Sequence, residues 1–147
     1  MRGELTRHWC SPVIYSRDRR YEADRLPGLV ALRDGEPVGH VTYAIDGDEC
    51  EVVTLAATIE GAGVGTALLA AAVEAARACG CRRAFLTTSN DNLRALAFYQ
   101  KRGWRLVAVH RGAVDRCRDR QKDVPLIGLN GIPLHDELEL ELLLRNG

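Results

Sequence analysis

The amino-acid sequence predicts an α/β domain built on a mixed sheet with helices packed on its faces. Three observations carry that prediction. Asp34-Gly35 and Asp46-Gly47 join three β-rich runs, and Asp-Gly pairs favour two-residue hairpin turns. An alanine-rich run then repeats apolar residues at helical spacing: Leu68, Leu69, Ala72, Val73 and Ala76. Further β-rich and helical runs alternate after it, up to a final stretch in which Leu and Glu alternate.

In order along the chain, the first 27 residues are polar and irregular, with Trp9 and Val13-Ile14-Tyr15 as their apolar anchors. Leu26-Pro27-Gly28 punctuates the chain. The organisation expected is a short irregular segment over 1–27 and one domain over 28–147. Strands over 29–32, 38–45 and 50–57 make an antiparallel meander. The alanine-rich helix stops at Gly80. A strand over 84–88 precedes a helix over 92–102, whose apolar stripe is Leu93, Leu96, Ala97 and Tyr99 and which Gly103 ends. A strand follows over 106–110. Residues 111–122 suit one more short helix and hold five Lys/Arg (Arg111, Arg116, Arg118, Arg120, Lys122) against two Asp (Asp115, Asp119). A loop with Pro125, Gly128, Gly131 and Pro133 leads to Leu138, Leu140 and Leu142, which alternate with Glu137, Glu139 and Glu141. A period of two is the mark of a half-buried strand.

A chain of 147 residues suits a single domain with a real core. Formal net charge is zero, so no global charge points to nucleic acid or an anionic membrane. No apolar run approaches the ~20 residues of a membrane span, and Met1-Arg2-Gly3-Glu4 does not open a signal peptide. Cys10, Cys50, Cys79, Cys81 and Cys117 are odd in number and scattered. They read as reduced thiols of a cytoplasmic protein, with no metal site.

Two constellations carry chemistry. In the first, Gly61, Gly63 and Gly65 stand where a strand gives way to a helix. Backbone N–H groups can converge there on an anion, backed by the helix dipole; close packing of a helix start is the other use of such glycines. A dinucleotide fingerprint fails because Thr66 fills its last position. A nucleoside triphosphate loop fails for want of a lysine. In the second constellation, Asn92 to Trp104 fits N-x-x-A-x-x-F/L-Y-x-x-x-G-F/W, with Asn92, Ala95, Phe98, Tyr99, Gly103 and Trp104 at the specified places.

Together the two segments resemble the GNAT superfamily of acyl-coenzyme A-dependent N-acetyltransferases, over about residues 29–144. Its first signature is a strand followed by R/Q-x-x-G-x-G/A opening a helix; here that is Glu60-Gly61-Ala62-Gly63-Val64-Gly65. The resemblance implies a GNAT-like, mostly antiparallel sheet with a central parallel pair that splays to leave a slot for the thioester, and helices on both faces. It implies acetyl-CoA as cosubstrate, without a metal. Glu60, Gly61, Ala62, Gly63, Val64, Gly65 and Thr66 would hold the pyrophosphate, mainly through main-chain N–H groups. Leu55, Ala56 and Ala57 would pair with the pantetheine arm like an added strand. Asn92 would contact the cofactor, Phe98 would pack on it, and Tyr99 would sit near the sulfur.

The chemistry then assigns roles. An acceptor amine with a pKa near ~10 must lose a proton before it attacks, and the leaving thiolate benefits from a donor. Tyr99 is the expected general acid. Glu51, which shares a strand face with Glu49, is the expected base, with His40 and His110 as alternatives. Arg111, Arg116 and Arg118 offer carboxylate recognition for an acidic acceptor. The chain departs from the family pattern at Glu60, where Arg or Gln is usual, at Ala57, where Pro is common, and in a shortened front. A homodimer covering that front edge is a further expectation. The activity expected is acetyl transfer to a primary amine of a small molecule or peptide by direct attack. The rival from another class is an acyl-CoA sensor of the same fold without turnover.

Overall fold

The computed structural model describes residues 4–6, 13–22, 25–58 and 62–144. The elements run β1 (Glu4–Thr6), β2 (Val13–Ser16), β3 (Arg19–Glu22), β4 (Gly28–Arg33), β5 (Glu36–Asp46), β6 (Glu49–Ala57), α1 (Val64–Ala78), β7 (Arg83–Ser89), α2 (Leu93–Lys101), β8 (Arg105–His110), α3 (Ala113–Arg120) and β9 (Glu137–Leu143). They form two compact units. Tyr15–Arg20 and Phe85–Leu142 make the second; the first holds Tyr21–Ala84 and the chain ends.

The first unit is an antiparallel run of strands in the order β1-β4-β5-β6. The second turn falls one residue later than expected, on Gly47-Asp48, because Asp46 pairs with Glu49 within the ladder; Gly47 takes φ 63°. The first turn behaves as its residues require. Asp34 and Gly35 take φ of 54° and 81°, the left-handed pair a tight hairpin needs. Between β5 and β6 the register shifts, with Thr42 opposite Thr54 and Tyr43 opposite Val52. Val53 is the extra residue of a β-bulge. Helix α1 packs against β4, β5 and β6 and buries Val64, Leu68, Leu69, Ala72, Val73 and Ala76. All five residues of the expected helical stripe are among them. Ala31, Val41 and Cys50 complete this core with no exposed surface.

Gly39 sets how closely α1 approaches the sheet. A β-carbon there would lie 2.8 Å from the Ala56 carbonyl oxygen, 2.8 Å from Val64 Cγ1 and 2.9 Å from Leu68 Cδ1. Gly39→Val is therefore expected to cost about 1–3 kcal/mol by overpacking, read as a lower urea midpoint at unchanged slope.

In the second unit the strands lie in the order β7-β9-β8, with β8 and β9 antiparallel. The turn between β2 and β3 belongs here. Ser16 and Thr87 share a hydroxyl hydrogen bond of 2.7 Å. The Arg17 backbone N–H donates to Glu137 Oε1 at 2.9 Å, and its guanidinium carbon lies 4.3 Å from the centroid of Phe85.

Three further expectations need correction. The stretch before Gly28, expected to be irregular, holds β1, β2 and β3. Helix α2 buries none of its residues fully; Leu93, 50% exposed, and Ala97 face solvent, so only Leu96 and Tyr99 of its apolar stripe are partly covered. In β9, Glu139 is buried, because His110 Nε2 pairs with its carboxylate at 2.7 Å. Among the described residues, no helix is long and apolar enough to cross a membrane, and no group of three or more His, Cys, Asp or Glu is placed to hold a metal ion. Cys50, Cys79, Cys81 and Cys117 are free thiols.

Candidate active site

The first unit carries the glycine-rich constellation. At the end of β6, Leu55 is half-buried, while Ala56 and Ala57 are exposed. On the β5 side they pair with Val41, His40 and Gly39. The Thr58 backbone N–H donates to the Val38 carbonyl at 2.9 Å and extends that ladder by one bond. Glu60 and Gly61, with Ile59, lie outside the described residues. Ala62 and Gly63 lead into α1.

Gly63 is the N-cap residue of α1, at φ 77° and ψ 11°. A β-carbon there would meet nothing within 4 Å. The requirement for glycine is therefore conformational, since L-residues avoid this region. Gly63 offers no side chain to cap the helix, and no capping side chain is seen among the described residues; the backbone N–H groups of a helix's first turn have no intrahelical acceptor. The first turn holds no acidic side chain either. Such a helix start suits an anion. Val64 also has a packing role, being 1% exposed; Thr66 is exposed.

Glu51 is 2% exposed, and Oε1 accepts the Tyr21 hydroxyl proton at 2.7 Å. Glu49, on the same face, is partly exposed and accepts from Arg82 and Arg83 at 3.2 and 3.1 Å. The two carboxylates therefore differ in setting: one is buried against a phenol, the other sits in a surface ion cluster. His40, on β5, is half-buried, and burial lowers its imidazole pKa from the usual value.

The second unit carries the Asn92 to Trp104 constellation. Asn92 caps α2 by accepting the Ala95 N–H on its side-chain oxygen at 3.1 Å. The family resemblance implies a cofactor contact for Asn92; the cap explains the residue type on local grounds as well. The Tyr99 ring meets Phe98 edge-on at 5.3 Å and Trp104 at 6.0 Å between centroids. Its carbonyl accepts the N–H groups of Arg102 and Trp104, and Gly103 turns the chain at φ 94°. Burial pushes the Tyr99 hydroxyl up to about 12. The Arg102 guanidinium covers Phe98, 3.7 Å from its centroid.

The connection from β8 to β9 is held by residues outside both sequence motifs. Asn90 and Asp91 follow β7 directly. The Asn90 side-chain oxygen accepts the N–H groups of His135 and Asp136, both at 3.0 Å, while its amide donates to the Pro133 carbonyl at 2.9 Å. Asp91, 4% exposed, accepts the Ser89 hydroxyl on Oδ1 and the Leu129 N–H on Oδ2 at 2.7 Å. The available signal was the polar run Ser89-Asn90-Asp91-Asn92 at a strand end, but its partners lie about forty residues on in sequence.

The basic segment forms α3. Arg118 donates to the carbonyls of Val124, Pro125 and Leu134 and to Asp115, so its guanidinium staples the connection. Arg116 donates to Asp18 at 2.9 Å and to the Arg111 carbonyl at 3.1 Å. His135 Nδ1 lies 3.1 and 3.3 Å from the two carboxylate oxygens of Asp115. That bond, followed by the one from Arg118, holds the Asp115 carboxyl below the usual carboxylate range.

The model of the acetyltransferase (GNAT) family matches residues 4–104. The chain is 41% identical over 135 residues to the uncharacterized protein YdhI of Bacillus subtilis (strain 168), covering 91% of this chain and 84% of that one. It is 43% identical, over 91% of this chain and 85% of the other, to the uncharacterized protein YxbD of the same organism. Among solved structures, a Bacillus subtilis acetyltransferase crystallised in complex with CoA superposes with a TM-score of 0.71 at 27% identity, covering 82% of this chain and 78% of that one. The fold expected from the sequence is the fold of these structures. The chain belongs to the GNAT family of acetyltransferases.

Proposed function

We propose that the protein moves the acetyl group of acetyl-CoA to a primary amine of a small molecule or peptide, by direct attack within a ternary complex. The observation that carries this reading is the start of α1: a left-handed glycine cap, no capping side chain among the described residues and no acid in the first turn. That is a backbone anion site of the kind a pyrophosphate fills. The acetyltransferase crystallised with CoA adds support. On this reading Ala62 to Thr66 hold the pyrophosphate, and Leu55, Ala56 and Ala57 pair with the pantetheine arm. Phe98 flanks the cofactor. The amine lone pair forms the new C–N bond, the C–S bond breaks, and Tyr99 donates to the departing sulfur. A hydroxyl held at about 12 keeps its proton at neutral pH and is present as a donor throughout. The free thiols support a cytoplasmic setting.

One observation favours the sensor reading. Glu51, the base expected from sequence, is buried and bonded to Tyr21, where an incoming ammonium does not readily reach it. Two measurements separate the readings. Acetyl-CoA at 100 times its dissociation constant is expected to stabilise the fold by about 2.7 kcal/mol, read as a rise in Tm. Thiol release with a panel of primary amines is then expected to exceed the amine-free rate. A rise in Tm with no release across the panel establishes the sensor; no rise with any acyl-CoA removes both.

A further inference from the structure

Two histidines of the second unit are paired with carboxylates, and only one suits work on a substrate. The His110 side chain is 29% exposed and joined to the buried Glu139 across the β8–β9 ladder. The His135 side chain is 53% exposed, and its partner Asp115 is 48% exposed. Asp115 also accepts from Arg118 at 2.8 Å, and α3 is tied back to this strip where the Val114 N–H donates to the His135 carbonyl. An ionised carboxylate can only accept hydrogen bonds, so Nδ1 of His135 must carry the proton. In the neutral ring, Nε2 then holds the lone pair. This is the arrangement of a base and its orienting carboxylate.

The position is fixed as firmly as the tautomer. Asn90 grips the chain on both sides of His135, through Pro133, His135 and Asp136, and its own N–H donates to the Asp136 carbonyl at 2.9 Å. His135 is thus moored where β7 ends, two residues before Asn92 opens α2. On the function proposed above, on which this step rests, Tyr99 serves the departing sulfur, and the helix that carries Tyr99 starts from this strand end.

We infer that His135 is the general base of the acyl transfer and that Asp115 is its positioning residue. His135 Nε2 takes a proton from the acceptor ammonium and passes it to solvent. The freed lone pair attacks the thioester carbonyl and forms the C–N bond. The intermediate then loses its second N–H proton, now strongly acidic, to solvent, the C–S bond breaks, and the sulfur takes a proton from Tyr99, which recovers one from solvent. Acetyl-CoA and an ammonium become an amide, a free thiol and one released proton.

The test compares two nucleophiles on the full chain: primary amines, which are protonated at neutral pH, and hydroxylamine, which is not. The wild type is expected to release thiol with both. His135→Gln should lower kcat/KM for the primary amine by about 10²–10⁴-fold, the usual worth of a general base. It should leave the hydroxylamine rate within a few-fold and acetyl-CoA affinity unchanged. Asp115→Asn should show the same split, smaller, and the double variant should be no worse than His135→Gln alone. Equal losses with both nucleophiles, no loss with either, or a split that follows His110→Gln instead would overturn the assignment. A wild type that binds acetyl-CoA but releases no thiol with any nucleophile overturns the proposed function, and this inference with it.

Discussion

Tyr99→Phe is expected to reduce kcat by about 10²-fold or more while acetyl-CoA binding and the fold stay as they were. The variant removes a single oxygen. The ring still meets Phe98 and Trp104 at its present distances, and the main-chain bonds from Arg102 and Trp104 to the Tyr99 carbonyl do not involve the side chain. Any loss therefore reports on the hydroxyl. Its pKa also fixes the pH behaviour. Burial raises it from 10.0 to about 12, so the folded state favours the protonated form. That contribution is complete below pH 10 and is lost as pH rises through about 12. No neutral or mildly alkaline fall in rate should come from this group. Thermal unfolding, acetyl-CoA titration and thiol release on the same preparation check all three statements; wild-type turnover in the variant would remove Tyr99 from the chemistry.

What the sequence disclosed depended on how local the cause was. The Asp34-Gly35 turn was legible because its residue types match its backbone: φ is 54° and 81°. Arg17 and Asp18 turn the β2–β3 hairpin with the same left-handed signs, 51° and 64°, but neither residue announces such a turn. Strands of four residues on either side offer too few positions for a period. The stripe of α1 was legible because one sheet covers one face of a long helix. The faces of β9 are not legible in its own run because the partner of Glu139 is a histidine on another strand, and pairing across strands leaves no mark on either run alone. The site divides the same way. Gly63 and Tyr99 stand inside motifs whose spacing is local. Asn90, Asp91 and His135 meet only through the folded connection between β8 and β9.

That connection supplies the second large effect. Asp91→Ala is expected to lower stability by about 2–4 kcal/mol, since a buried carboxylate gives up bonds from Ser89 and Leu129 and leaves an N–H without its acceptor. Gly128→Ala should do comparable damage from the other side. A β-carbon at Gly128 would overlap Asp91 Oδ2 at 2.1 Å and Cγ at 2.7 Å, so the loop must lift off the carboxylate that anchors it. If both costs arise at this one contact, they cannot add. The double variant places the new methyl group in the space the carboxylate leaves, and should be more stable than the sum of the two losses by about 0.5–3 kcal/mol. Urea unfolding of the four proteins measures that coupling directly; strict additivity would mean that Asp91 and Gly128 act through separate contacts. Because Asn90 moors His135 on the same strip, thiol release from primary amines should fall in both single variants beyond what the unfolded fraction explains. It should recover in part where the double variant restores the loop.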